Sequence, residues 1–121
     1  MNLMPRRLLI VDDHARFRAS ARRMLESEGW TILAEAQDGR SALREAERVK
    51  PDVVVLDVGL PDVSGIDLAR QLHLRHPGLD VILVSTHDAD DYADLARAAG
   101  ARGFVPKAEL SGQTLQRLLT D

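Results

Sequence analysis

Near its centre the chain reads Val53-Val54-Val55-Leu56-Asp57, an apolar run that ends on a carboxylate. Two further apolar runs also end on oxygen-bearing side chains: Leu8-Leu9-Ile10-Val11 precedes the carboxylates of Asp12-Asp13, and Val81-Ile82-Leu83-Val84 precedes the hydroxyls of Ser85-Thr86. Short runs that are rich in Val and Ile, and that are separated by helical patterns, are typical of strands buried on both faces of a parallel sheet. The expected fold class is therefore α/β.

Helical patterns fill the stretches between the strand-like runs. Strands are expected to begin near Leu8, Thr31, Val53, Val81 and Gly103. Helices are expected at Ala15–Glu28, at Arg40–Val49, from after Ser64-Gly65 to a break at His76-Pro77-Gly78, at Asp90–Ala99 and at Ser111–Leu119, the last with Ser111 as its N-cap. Each gap between strands has room for the crossover helix that parallel pairing requires. We therefore predict a five-stranded open sheet with helices on both faces.

Two of the strands suit the edges of this sheet. The run from Thr31 to Ala36 is more polar than the others, and Pro106 lacks the amide hydrogen that a central strand donates. In a sheet of order 2-1-3-4-5, the first and third strands are neighbours, and the carboxyl ends of the strands form the ligand crevice. We expect Asp12, Asp13 and Asp57 to lie within contact range there.

The composition limits the possible functions. The 121 residues are enough for one domain, 1–121, and 45% of them are hydrophobic. A net charge of −3 argues against strong DNA binding by this domain, and the absence of Cys excludes disulfides, zinc thiolates and a thiol nucleophile. The N-terminus has neither a secretion signal nor a membrane span, so the sequence predicts a cytoplasmic domain without membrane contact.

Clustered carboxylates indicate a cation site. An isolated Asp before a helix is more often a cap, which would explain Asp12-Asp13 or Asp57 taken alone. Together, however, they would repel, since two like charges 4 Å apart cost about 4 kcal/mol at an effective dielectric constant of 20. A hard divalent cation relieves this repulsion, and oxygen ligands favour Mg2+ or Mn2+ over zinc.

Other polar side chains are expected at the same edge. A lysine is usually a solvated surface charge, but Lys107 follows the fifth strand and can reach across the strand ends as a point charge for a phosphoryl oxygen. Ser85 alone would be a turn residue, and beside the acids it becomes a second donor to the same oxygen. His14 is adjacent to the acids, and we expect it to be a surface residue rather than a metal ligand.

Four motifs in order resemble the receiver domains of two-component response regulators, over essentially the whole chain. They are Val11-Asp12-Asp13-His14, the run Leu56-Asp57-Val58-Gly59-Leu60-Pro61-Asp62-Val63-Ser64-Gly65, Val84-Ser85-Thr86, and the run Ala99-Gly100-Ala101-Arg102-Gly103-Phe104-Val105-Pro106-Lys107. The fold that this resemblance implies is the flavodoxin-like, CheY-like three-layer sandwich of strand order 2-1-3-4-5.

The resemblance also implies roles for the acids. Asp57 would be the phosphoacceptor, which attacks a phosphohistidine on a sensor histidine kinase and becomes an acyl phosphate. Asp13 and Asp57 would hold Mg2+ or Mn2+ directly, together with the backbone carbonyl of Gly59, and Asp12 would act through a bound water. Such a domain assists its own phosphorylation and dephosphorylation but is not an enzyme.

The resemblance implies a switch as well. Lys107 and Ser85 would bind the phosphoryl oxygens, and Phe104 would be the aromatic switch residue. When Ser85 moves towards the phosphoryl group, the ring turns inward and changes a surface made by the fourth helix, the fifth strand and the fifth helix. A phosphorylation-dependent homodimer through the last two helices is one expected outcome.

The start and end of the motif set indicate a subgroup. The Val-Asp-Asp-His start, with Arg18 close behind, and the Pro-Lys-Ala ending resemble regulators that carry a C-terminal LuxR/NarL-type helix-turn-helix. The chain contains no such segment, so DNA binding and transcriptional output are expected only in a possible longer parent.

Three alternatives remain open at this point. A Mg2+-dependent aspartate-nucleophile phosphatase would need Asp-x-Asp, whereas the chain has Asp12-Asp13-His14. A cobalamin-binding module would need glycine where Phe17 stands. A non-phosphorylated receiver-like adaptor would not need the complete set of Asp12, Asp13, Asp57, Ser85 and Lys107.

Overall fold

A computed structural model describes residues 6–86 and 92–120. The strands are β1 (Arg7–Val11), β2 (Thr31–Ala36), β3 (Val53–Asp57), β4 (Asp80–Ser85) and β5 (Gly103–Pro106). The helices are α1 (Ala15–Ser27), α2 (Gly39–Val49), α3 (Gly65–Arg75), α4 (Ala93–Ala98) and α5 (Gly112–Thr120), and a 3-10 turn covers Lys107–Glu109. Among the described residues, every helix is too short or too polar to cross a membrane.

The five strands form one parallel sheet in the order β2-β1-β3-β4-β5, which confirms the predicted topology. The polar β2 and the proline-containing β5 lie at its two edges, as predicted. The register pairs Val11 with Leu56, Asp57 with Val84, and Ser85 with Pro106. The carboxyl ends of β1, β3, β4 and β5 therefore lie side by side.

Both faces of the sheet are covered, which explains the unbroken apolar runs. All five residues of β3 are buried, and successive side chains point to opposite faces of a strand. Val54 and Leu56 belong to a core cluster with side chains of α2, α3 and α4, whereas Val53 and Val55 belong to a second cluster with α1 and α5. The helices are therefore held by hydrophobic burial on each side.

Most helix bounds agree with the sequence within a residue or two. Ser111 Oγ accepts a hydrogen bond from the Thr114 amide at 3.0 Å, so the predicted cap of α5 is confirmed. Gly29 and Gly100 have φ of +94° and +92°, as expected of residues that end helices. The predicted start of the fourth helix at Asp90 lies outside the described residues, and the described helix is Ala93–Ala98.

A glycine lets α3 begin directly beside the end of β3. The amide of Gly65 donates a hydrogen bond to the Val58 carbonyl at 2.8 Å. A Cβ atom at this position would overlap the Asp57 carbonyl oxygen and the Val58 Cα. The backbone that carries Asp57 is therefore packed against α3 at a distance that only glycine allows.

We predict that Gly65→Ala destabilises the domain by about 1–3 kcal/mol, because the new methyl group must displace backbone atoms. Urea denaturation followed by circular dichroism measures this change. Gly78→Ala is the matched control, since a Cβ there meets nothing within 4 Å, and we expect it to stay within about 0.5 kcal/mol. Equal stability of the two variants would contradict the close contact at Gly65.

Candidate functional site

The three predicted acids come together at the carboxyl ends of β1 and β3. Asp12 is fully buried and Asp57 is 5% exposed, whereas Asp13 and His14 are exposed. One ligand atom from each of these four residues lies within 4.8 Å of all the others. The predicted clustering of the acids is confirmed, and His14 is a surface residue as expected, although its ring reaches the cluster.

Lys107 is a nearly buried partner of these acids. Its Nζ atom lies 2.6 Å from Asp12 Oδ2 and 3.6 Å from Asp57 Oδ2, and its side chain is only 11% exposed. The same ammonium lies 4.5 Å from the centroid of the Phe17 ring. The ordinary fate of a lysine, a solvated surface charge, therefore does not apply here.

Local contacts hold the loop that carries Asp12 and Asp13. The backbone amide of His14 donates to Asp12 Oδ1 at 2.7 Å, and its Nδ1 atom lies 3.0 Å from the same oxygen and 3.2 Å from Asp13 Oδ1. The guanidinium of Arg18 donates to the Asp12 backbone carbonyl at 2.6 Å. The doublet is thus fixed both by its own loop and by the first turn of α1.

Arg18 is in turn held by an acid on the edge strand. Its Nε atom donates to Glu35 Oε1 at 3.0 Å, and Arg22 donates to the other oxygen of Glu35 at 2.9 Å. Sequence reasoning used Arg18 only as a mark of a subgroup and did not pair it with Glu35. A pairing between a helix and an edge strand becomes visible only after the two elements are placed side by side.

An open cleft of about 350 Å³ lies above Asp57. Its lining includes Gly59, Ser85 and Lys107, which the sequence predicted, and Tyr92, which it did not. Ser85 is 3% exposed, and the Gly59 amide donates to Asp57 Oδ1 at 3.2 Å. The cleft therefore brings a carboxylate, a hydroxyl and an ammonium to one small volume.

Phe104 contacts this cleft through a second aromatic ring. Its ring is stacked on Tyr92, with centroids 5.4 Å apart and an angle of 23° between the planes. Tyr92 in turn lines the cleft. The sequence gave no periodic signal for Tyr92, because the residue precedes α4 and its place depends on how that helix packs against β5.

The family model of the response regulator receiver domain matches residues 8–119. The chain belongs to this family. The receiver domain is thus a signalling module of two-component systems, and domains of this class are generally not enzymes. This membership decides against the phosphatase and the cobalamin-binding interpretations. The first also needed Asp-x-Asp directly after the first strand, where the chain has Asp12-Asp13-His14, and the second needed glycine where Phe17 stands.

Relatives of known name agree with this assignment. The probable transcriptional regulatory protein TcrX of Mycobacterium tuberculosis is 42% identical over 103 residues, which cover 85% of this chain and 44% of TcrX. A LuxR-family response regulator from Aurantimonas superposes with a TM-score of 0.87 at 32% identity, covering 96% of this chain and 86% of that one. The receiver domain spans about half the length of the curated relatives it matches.

One similar structure was solved as a complex with a phosphoryl mimic. The CheX–CheY complex with BeF3 and Mg from Borrelia burgdorferi superposes with a TM-score of 0.86 at 26% identity, covering 97% of this chain and 89% of that one.

Among the relatives, transcriptional regulators of the LuxR and NarL type recur. The predicted subgroup is therefore confirmed.

The Asp57 carboxylate lies at the base of the cleft, in surroundings that disfavour its negative charge. Burial raises the pKa of Asp57 above its ordinary value of 3.8, and the nearby charges of Asp12 and Asp13 raise it further. The hydrogen bond from the Gly59 amide and the charge of Lys107 lower it, but the net direction is upward. The folded domain therefore disfavours the ionised form of Asp57.

The residues of this cluster fit a hard divalent cation. Carboxylate oxygens supply most of the donor set, and such ligands suit Mg2+ or Mn2+. Asp12 Oδ2 is fully buried and accepts no hydrogen bond of ordinary geometry from the described residues, although Lys107 pairs with it electrostatically. In the part of the chain that the structure describes, the Lys107 ammonium pairs with Asp12 and Asp57, and Asp13 adds a third carboxylate, so a further positive charge would stabilise the cluster.

We predict that Asp57→Asn raises the melting temperature of the metal-free domain at pH 7 by roughly 2 to 6 °C. The amide has no charge to bury, and it can still accept the hydrogen bond from Gly59. Asp13→Asn is the comparison variant, and its gain is expected to be smaller because its side chain is 35% exposed. Differential scanning calorimetry measures both, and an unchanged or lower value for Asp57→Asn would refute the cost of burial.

The sign of the pH dependence follows from the raised pKa. In the native state Asp57 takes up its proton at a higher pH than in the unfolded chain, so stability lost to the buried charge is recovered as the pH falls through the raised pKa. The advantage of Asp57→Asn is therefore largest near neutral pH and shrinks on acidification. A difference that grows as the pH falls would show that the direction is wrong.

Proposed function

We propose that Asp57 is the phosphoacceptor of this domain and that it takes its phosphoryl group from a sensor histidine kinase with the help of Mg2+. The observation that carries this proposal is the position of the Asp57 carboxylate at the base of the cleft, 3.6 Å from the Lys107 ammonium and beside Asp12 and Asp13. A nucleophile, a cationic partner and a cation-binding cluster stand together there.

The proposed reaction needs little beyond positioning and charge. An Asp57 oxygen attacks the phosphorus of a phosphohistidine, a P–O bond forms, and the P–N bond breaks so that the imidazole leaves with its electron pair and takes up a proton. Lys107 meets negative charge on the phosphoryl oxygens, and Ser85 donates its hydroxyl to one of them. Both groups line the cleft from the neighbouring strand ends β5 and β4.

The same site would hold the cation. Asp13, Asp57 and the backbone carbonyl of Gly59 would bind Mg2+ directly, and Asp12, which pairs with Lys107, would hold it through water. When bound, the ion neutralises the charge that accumulates between the acids and the incoming phosphoryl group. Mn2+ satisfies the same oxygen donors.

The direct test is phosphorylation by a small donor. We expect incubation with acetyl phosphate and Mg2+ to add the mass of one phosphoryl group, with the lability to hydroxylamine of an acyl phosphate. Asp57→Asn should abolish the addition. Asp67→Asn is the matched control because Asp67 is 61% exposed on α3 and away from the cluster.

The outcome also decides the remaining alternative. A receiver-like adaptor that is never phosphorylated would gain no mass in either the parent or the control. Phosphorylation of Asp57→Asn to the parental level would show that another residue is the acceptor. Omission of Mg2+ should suppress the reaction, which separates a metal-dependent transfer from simple acylation.

We propose that phosphorylation changes the surface around α4, β5 and α5 and thereby controls an output. Ser85 moving towards the phosphoryl group would release space for Phe104, whose present position is set by its stack on Tyr92. The output is proposed to be transcription, through a DNA-binding region of a longer parent, because transcriptional regulators, including a DNA-binding activator, are among the relatives. The proposed location is the cytoplasm, as is typical of response regulators.

A phosphorylation-dependent homodimer is the proposed first consequence. Leu95 of α4 is 51% exposed, and Leu74 of α3 is 73% exposed. We expect Mg2+ with beryllofluoride to increase the sedimentation coefficient, Leu95→Glu to abolish that increase, and Leu74→Glu, the control, to leave it. A coefficient that does not respond to beryllofluoride would exclude the dimer.

A further inference from the structure

We infer that Phe17 is a positioning residue for the phosphoryl-transfer site, because its ring keeps the Lys107 ammonium at the place where a phosphoryl oxygen must be met. This inference rests on the proposed role of Lys107. It adds a neutral aromatic side chain from α1 to the charged and hydroxyl groups that the strand ends contribute to the site.

The geometry meets the requirements of a cation–π contact. The Lys107 Nζ atom lies 4.5 Å from the ring centroid, inside the limit of about 6 Å for such contacts. The lysine side chain is 11% exposed, so little water competes for the ammonium. The contact therefore belongs to the desolvated, stronger class.

The ring itself has a fixed place. Phe17 is the third residue of α1, and its side chain packs against the core cluster that includes Val105 of β5 and Leu115 of α5. Lys107 begins two residues after Val105, so the ring and the lysine backbone are anchored to the same layer. The flexible four-carbon side chain of Lys107 therefore packs against a ring whose own position is set by the core.

The acids alone do not define the position of the ammonium. Asp12 Oδ2 attracts it at 2.6 Å, and Asp57 Oδ2 lies farther away at 3.6 Å. Both carboxylates also attract any bound cation, which competes with the lysine for the same oxygens. The ring does not titrate and is a poor ligand for a hard cation, so its hold on Lys107 persists when the acids engage a metal.

Loss of the ring should therefore lower the population of the competent lysine conformer. The apparent affinity for a phosphoryl group falls in proportion to the fraction of molecules in which the ammonium is in place. A leucine would fill much of the same space and preserve contact with the core, but it has no aromatic π face to attract a cation. Packing and positioning can thus be separated at this position.

The test is a double-mutant cycle with beryllofluoride as the probe, at saturating Mg2+. We expect Phe17→Leu to weaken beryllofluoride binding roughly threefold to tenfold, and Phe17→Tyr, which keeps the aromatic face, to bind like the parent. In the Lys107→Met background, which retains an apolar stem, Phe17→Leu should have almost no further effect. Fluorine NMR follows bound beryllofluoride, and calorimetry checks that Mg2+ affinity without it is unchanged by Phe17→Leu.

A fluorination series protects the test against a variant that fails to fold. Phenylalanine with one, two or three ring fluorines, introduced at position 17 alone, keeps nearly the same shape while draining negative charge from the ring face. We expect the affinity for beryllofluoride to fall stepwise with each fluorine. A flat series would overturn the inference, whatever the behaviour of Phe17→Leu.

The remaining outcomes are distinct. If Phe17→Leu weakens binding equally in the Lys107→Met background, the ring acts through packing and the inference is wrong while the proposed function stands. If the parent itself fails to bind beryllofluoride with Mg2+, the proposed function fails, and the inference fails with it. Parental binding together with the predicted coupling supports both.

Discussion

The contact between the Lys107 ammonium and the buried Asp12 carboxylate is the interaction on which the site depends. Three carboxylates meet at the ends of β1 and β3, and the Lys107 ammonium, which follows β5, lies 2.6 Å from Asp12 Oδ2 and 3.6 Å from Asp57 Oδ2. Removing one partner of a buried ion pair leaves an uncompensated charge, which is strongly destabilising. The domain thus holds together an acidic cluster whose members repel one another, and a bound cation would relieve that repulsion.

The sheet fixes the relative positions of the groups in this cluster. Parallel pairing places four strand ends side by side, and the close approach of Gly65 to the backbone of Asp57 fixes the loop that follows Asp57. The Arg18 guanidinium, held by Glu35, fixes the backbone of the acidic doublet in the same way. Because close backbone packing on one side and a paired guanidinium on the other hold the backbone of these residues, the carboxylates are preorganised before any ligand binds.

Much of the fold followed from local pattern. Branched apolar runs predicted the buried strands, the polar β2 and Pro106 of β5 predicted the two edges, and the Ser111 cap was found where expected. The clustering of Asp12, Asp13 and Asp57 also followed, since parallel strand ends must share an edge. The contact of Phe17 with Lys107 did not follow, because nothing in the order of residues says which side chain of a distant strand end meets a ring on α1.

The sequence by itself determined the class of fold and the set of groups at the carboxyl ends of the strands, because strand period and parallel connection follow local rules, whereas the order of the strands was expected from the resemblance of its motifs to a known family. Only the tertiary structure decided how deeply each group is buried and which partner it has. Asp12 and Asp13 are neighbours in the chain, yet one is fully buried and the other exposed. Burial, ion pairing and the pKa of Asp57 all depend on distances between elements that are far apart in the chain, and packing alone sets those distances.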